Sequence, residues 1–272
     1  MFKLNHIFNT TLYKREMGGS WRMLLIFAGI IAMYAGVVIS MYEPGIEGML
    51  AQLAEAIPEL MAAVGMGGAP SDLTGFISSY LYGMLLLVFP MVYTILRANA
   101  LVARYVDRGS MAGLLAAPVK RRSIALTQAG ALATGIIIMI AFITILEAAV
   151  SEALFPGELD IGGIIALNSG LLCLHLFIGG ICFLCSCIFS DAKHSAGLGA
   201  GIPAFMYILL MISNIGGAAE NVKYATFFTL YNTEAILAGD PSGAAGAAIL
   251  LAGAVPLFAS GITVFSRKDL HV

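Results

Sequence analysis

The chain has 272 residues, of which 60% are hydrophobic and 11% charged, whereas about a quarter of a soluble domain's residues carry charge. That balance excludes a soluble enzyme or nucleic-acid-binding module and predicts an integral membrane protein, all-α and polytopic, with no nucleic-acid partner. A net charge of -2 conceals a strict segregation of basic from acidic residues along the chain, so the pattern informs more than the sum.

Residues 2–16 mix polar and apolar side chains, with no small-residue cleavage site after a short apolar core, so the first apolar segment is predicted to be retained. Leu4, Phe8 and Leu12 recur at helical spacing beside Ile7, with Lys3, Lys14 and Arg15 elsewhere. This predicts an amphipathic elbow helix in the headgroup plane over residues 1–19, a frayed tail being the alternative. Ser20 then reads as the N-cap of a first membrane helix over 21–42, with Trp21 and Tyr42 at the two interfaces.

Between 43 and 75 there is no Lys or Arg, but Glu43, Glu47, Glu55, Glu59 and Asp72 are present, which places the segment outside. Its apolar residues repeat every three or four positions, predicting amphipathic helices over the extracellular end, the second starting at Pro58 and stopping at Gly65. A second membrane helix over 76–96 should be kinked by Pro90 and continue toward Asp107.

Residues 97–124, RANALVARYVDRGSMAGLLAAPVKRRSI, hold Arg97, Arg104, Arg108, Lys120, Arg121 and Arg122, six of the fourteen Lys and Arg residues. This is the predicted cytoplasmic loop, and between its charges an apolar run, 111–117, ends at Pro118. The third and fourth helices are predicted over 124–148 and 164–189, with an acidic outer connection between them. The fifth, over 196–213, opens with Gly197 and Gly201 in a GxxxG pair that permits close helix approach, and then meets Pro203. An external segment over 215–243 has an apolar, aromatic middle that either dips into the outer leaflet or lies on it, and the sixth helix covers 244–265. Thirteen basic residues then fall inside against Lys223 outside, which sets six helices with both termini cytoplasmic in one transmembrane domain, 1–272.

No GxxxxGK[ST] phosphate loop, HExxH pair or assembled nucleophile set is present, so the chain itself is not expected to be an enzyme or to bind a cofactor. Cys182, Cys185 and Cys187, with Cys173, His175 and His194 nearby, could hold a soft metal such as Cu(I). In an apolar helix, however, cysteine is an ordinary small hydrophobic residue, and no metal site is assigned. Glu147 is the deepest acidic candidate, read as lining a watery vestibule or reaching the interface.

The stretch GSMAGLLAAPVKRRSI resembles the motif of ABC-2 type transporter permeases, in which a Gly-Thr pair precedes an apolar run and Pro-Val-Ser-Arg with an aliphatic residue. Gly109, Leu114, Leu115, Pro118, Val119, Arg121 and Ile124 stand at matching spacings, and Asp107 stands where the family usually has glutamate. Ser110, Lys120 and Gln128 depart from the usual threonine, serine and lysine. The likeness extends through IPELMAAVG and LTGF to the terminal FSRKDL.

The resemblance implies the membrane subunit of an ATP-binding-cassette exporter in a bacterial cytoplasmic membrane. That subunit would pair with a second copy or a related permease and with two separate ATPase subunits carrying ATP and magnesium. It assigns ATPase coupling to Asp107, Gly109, Met111, Leu114, Leu115, Pro118, Arg121 and Arg122; the GLGAG pattern itself suggests helix packing near the translocation path at Gly197, Gly201 and Pro203. The path would lie between two copies, nearest the first, second and fifth helices, and its scarcity of fixed charge favours an amphipathic or lipophilic cargo. The alternatives are an ion-gradient-driven transporter or channel, or a non-transporting scaffold.

Overall fold

A computed structural model of the chain describes residues 8–42, 56–66, 72–107, 109–111, 113 and 119–268. Among the described residues every regular element is helical. Six of these stretches, Thr10–Ser40, Leu85–Asp107, Arg121–Leu154, Ile161–Ile188, Ala192–Asn214 and Pro241–Arg267, are long and apolar enough to cross a membrane.

Helix α1, Thr10–Ser40, starts at Asn9, whose side chain accepts from the Leu12 amide at 3.0 Å. Its 31 residues span about 46 Å at 1.5 Å each, more than the roughly 30 Å of a bilayer core. The predicted boundary at Ser20 is therefore corrected. Ser20 lies mid-helix with its hydroxyl donating to the Met17 carbonyl at 2.9 Å, and nothing between Thr10 and Trp21 breaks the helix. Gly18 and Gly19 each cost about 1 kcal/mol relative to Ala, too little to stop a helix already capped at Asn9. Leu12, Glu16, Ser20, Leu24, Ala28, Ile31, Ala35 and Ile39 form one buried stripe across both predicted pieces. Residues 1–7 of the predicted elbow lie outside the described residues.

Helix α2, Pro58–Ala63, has Pro58 in its first turn and is followed by Gly65 at φ +77°, the start and stop that the sequence signals. Helix α3, Leu73–Ile77, is capped by Asp72 and passes through a π-helical turn at Ser78–Tyr82 before α4, Leu85–Leu101. At Gly83 a Cβ would come within 2.5 Å of the Val64 carbonyl, so the irregular turn presses its backbone directly on the residue after α2.

Helix α4 runs through Pro90. Proline has no N–H to give the carbonyl four residues back, and the carbonyl so released, that of Leu86, is bound by His175 Nε2 at 3.0 Å. A second break, at Val102, separates α4 from α5, Ala103–Asp107. There the Ser186 hydroxyl donates to the Ala98 carbonyl at 3.0 Å and accepts from the Ala103 amide at 2.9 Å, which satisfies both sides of the interruption.

Helices α6, Arg121–Leu154, and α7, Ile161–Ile188, are followed by α8, Ala192–Asn214, capped by Asp191. Two 3-10 turns, Gly217–Ala225 and Phe227–Leu230, and the short α9, Thr233–Leu237, lead to α10, Pro241–Arg267. The connection between α8 and α10 packs against the helices of the bundle. Phe228 and Tyr231 are buried, Phe227 meets Phe177 edge-on, and the Tyr231 hydroxyl donates to the Leu167 carbonyl at 3.2 Å.

Helix α7 is the hub, packed by α4, α6, α8, α9 and α10. Its closest neighbour is α10, where small residues let the backbones meet: a Cβ on Gly180 would stand 2.8 Å from Leu257, and one on Gly261 2.7 Å from Phe183. In lipid, such close packing supplies association energy that burial from water supplies elsewhere. Helix α4 lies between α1 and α8, with α6 and α7 behind it, and leaves Met84, Val92 and Leu96 as an exposed stripe.

Candidate functional site

The bundle has a basic end, bearing Arg104, Lys120, Arg121 and Arg122, and a distal end bearing α2, α3 and α9. At the basic end Asp107 closes α5 with its side chain exposed, and Gly109 turns the chain at φ +68° while its amide donates to the Val106 carbonyl at 2.9 Å. Met111 is fully buried in the main core cluster. It anchors the loop rather than presenting an apolar surface. Leu114, Leu115 and Pro118 lie outside the described residues. Arg121 and Arg122 are exposed at the start of α6.

The loop is tied down at both of its roots. Arg121 donates through Nη1 to the Lys268 carbonyl at 2.8 Å, and the Lys268 ammonium donates to the Ile188 carbonyl at 2.7 Å, joining the ends of α6, α7 and α10. Burial holds the Lys268 ammonium below the usual lysine range.

At the other root Arg97 departs from the sequence reading, which grouped it with the loop's solvated charges. It is 5% exposed inside α4, its Nη2 donating to the Glu16 carbonyl at 2.6 Å and lying 3.5 Å from the Glu16 carboxylate. Tyr105 of α5 donates its hydroxyl to the other Glu16 oxygen at 2.6 Å. One buried acid thus joins α1, α4 and α5 at the start of the 97–124 segment. The available signal was Glu16 itself, an acid on the same face of the first helix as Leu12, Ser20 and Leu24.

On α8, Gly197 and Gly201 are exposed, and a Cβ on either would meet nothing within 4 Å. The GxxxG pair therefore makes no close approach among the described residues. Gly199, between them, is the buried one, its carbonyl accepting from the Cys182 thiol at 3.1 Å, and Pro203 is buried too. Cys182, Cys185 and Cys187 are buried free thiols along α7, and His194 pairs with Asp191 at the surface. Among the described residues no three His, Cys, Asp or Glu side chains are grouped to hold a metal ion.

At the distal end the sequence reading of Glu147 is corrected. It neither lines a watery vestibule itself nor reaches an interface: it is fully buried, its Oε2 accepting from the Tyr82 hydroxyl at 2.7 Å and from Asn168 Nδ2 at 2.8 Å. Helix α7 and the π turn close over it. Tyr82 and Tyr231 also line a cavity of about 530 Å³ whose walls include Ser78, Ser79, Asn214 and Glu234. Lys223 and Glu220 pair across its rim at 2.8 Å, and that hydrogen bond lowers the pKa of Glu220 and raises that of Lys223.

Six apolar helices, one of them central, with polar side chains bonded across helices, define a multi-pass helical membrane protein. The family follows from comparison: the chain belongs to the ABC-2 transporters, a model described as ABC-2 family transporter protein matching residues 11–270. No curated protein and no solved structure matched the chain. The family makes it an ABC permease, a membrane subunit rather than an enzyme.

Proposed function

We propose that this chain is the membrane subunit of an ABC exporter, set in a bacterial cytoplasmic membrane with its basic end and both termini inside. Two separate ATPase subunits, which carry ATP and magnesium, drive it through the loop over 97–124. The observation that carries this reading is the way the loop is rooted. A segment that only anchored the basic end would need charge alone, whereas this one is joined through Arg97, Glu16 and Tyr105 to α1, α4 and α5, and through Arg121 and Lys268 to α6, α7 and α10.

In this mechanism Leu114 and Leu115 seat in an ATPase groove, with Pro118 ending the apolar run. Asp107, Arg121 and Arg122 steer the approach electrostatically, while Gly109 and Met111 set the loop's exit from the bundle. Closure of the ATPases pushes the loop, and its roots pass the displacement to the helices. The translocation path runs between two copies, or this chain and a related permease, along the face made by α1, α4 and α8. Exposed Gly197 and Gly201, with open space beside them, support close approach of a second chain there, with Pro203 holding the helix against its own bundle. The apolar stripe of Met84, Val92 and Leu96 on that face suits an amphipathic or lipophilic cargo.

Co-purification from detergent-solubilised native membranes tests the reading. A Walker-type ATPase accompanies the wild type and is lost from the Leu114→Asp, Leu115→Asp double variant. Flux in vesicles without ATP would instead favour an ion-gradient-driven transporter, and ATPase binding without flux a scaffold.

A further inference from the structure

The Glu147 carboxylate has no role in the coupling scheme, yet it is the most deeply enclosed acid at the distal end. Its Oε2 accepts two hydrogen bonds, from Tyr82 and Asn168, while its Oε1 has no partner. Asn168 Nδ2 also donates to the Ile164 carbonyl at 3.2 Å, which fixes the amide so that Oδ1 is the atom left over. Asn168 Oδ1 and Ser151 Oγ are likewise buried and unpartnered. One oxygen of the carboxyl group, an amide oxygen and a hydroxyl thus lack a hydrogen-bond partner.

No positive charge answers it. The ion pairs among the described residues join Arg97 to Glu16, His194 to Asp191 and Lys223 to Glu220. The groups facing Glu147 are Tyr82 from the π turn and Asn168 from α7, with Tyr231 from the segment before α9 bonded beside them to Leu167 and Ser151 one turn along α6. All are neutral. An ionised carboxylate held among neutral groups inside a membrane bundle is expensive, and such residues mark proton or ion sites when they persist. A hydrogen on Oε1 removes the charge and gives Asn168 Oδ1 or Ser151 Oγ a donor.

We propose that Glu147 is a proton-binding site beneath the distal cavity, loaded in the arrangement seen here, and that Tyr82 is its connection to water. Tyr82 lines the cavity and its hydroxyl donates to Glu147. On loading, that hydroxyl gives its proton to the carboxylate and takes one back from a hydrated proton in the cavity, which leaves as neutral water, so the tyrosine ends unchanged and the carboxylate gains one proton. A turn of the carboxyl group then presents the hydrogen to Asn168 and Ser151. The assignment of the cavity to the outside rests on the orientation proposed above, whereas the proton site itself does not. Proton release leaves a bare charge between α6, α7 and the π turn, which favours entry of cavity water and separation of those elements.

Infrared spectroscopy of the purified full-length protein in lipid tests this without reference to any ATPase. At neutral pH the wild type shows a protonated-carboxyl C=O band that moves down in D2O. The band is lost in Glu147→Gln and displaced in Glu147→Asp, which retains a carboxyl and serves if the amide variant fails to fold. In Tyr82→Phe the band remains, but its D2O shift develops more slowly. A neutral-pH spectrum without the band, or a band unchanged in both Glu147 variants, overturns the site; unaltered exchange in Tyr82→Phe overturns the route. An ATPase absent from the wild-type preparation, with the band intact, would refute the exporter reading and leave the proton site standing.

Discussion

Arg97 of α4 donates to the backbone carbonyl of Glu16 in α1 at 2.6 Å and stands 3.5 Å from the same residue's carboxylate, with both side chains 6% exposed. A buried pair of this kind is worth little against an apolar replacement of both members, but removing one member strands the other. Arg97→Ala or Glu16→Ala should each destabilise the protein by about 3–5 kcal/mol. The double substitution should cost less than the sum. Thermal unfolding of the four proteins in detergent measures the cycle, and additive effects would mean that the two groups do not act as a pair.

The carbonyl that Pro90 releases is answered by His175 from another helix, and this makes a conditional prediction. His175→Leu should cost about 1–3 kcal/mol, the usual penalty for stranding a buried polar group. In a Pro90→Ala background the Leu86 carbonyl regains a partner within its own helix, and the same substitution should cost distinctly less. An equal cost in both backgrounds would assign His175 to packing alone.

Glycines in this chain divide by what stands beside them. Leucine at Gly180 or Gly261 would collide with Leu257 or Phe183 and should abolish the folded protein, read as loss of a monodisperse peak. At Gly197 or Gly201 an added Cβ meets nothing within 4 Å, and leucine there should leave folding intact while reducing dimer formation and transport. Equal loss of folded protein at all four positions would contradict the contrast.

Much of the architecture was legible because bilayer thickness and charge segregation act on long stretches. Pro58, Gly65 and Asp107 marked real boundaries for local reasons. Ser20 did not, since a serine within a helix can bond the preceding turn as readily as cap a new one, and Asn9 already performed the capping. The polar sites were hidden by sequence distance. Tyr82 and Asn168 lie 65 and 21 positions from Glu147, and Glu16 lies 81 from Arg97, so only tertiary packing pairs them. His175 was ambiguous in sequence because a histidine near cysteines suits a metal and a freed carbonyl equally well. Likewise GxxxG announces close approach without saying whether the partner helix belongs to the same chain.

The central claim is that the loop over 97–124 couples this permease to a separate ATPase. Its most direct measurement is co-purification from native membranes, comparing wild type with the Leu114→Asp, Leu115→Asp variant at matched expression and matched gel-filtration profile. The account predicts a Walker-type ATPase with the wild type and at least a tenfold loss of it in the variant, about 1.4 kcal/mol or more of binding energy. An ATPase absent from both preparations, or retained undiminished by the variant, would contradict it.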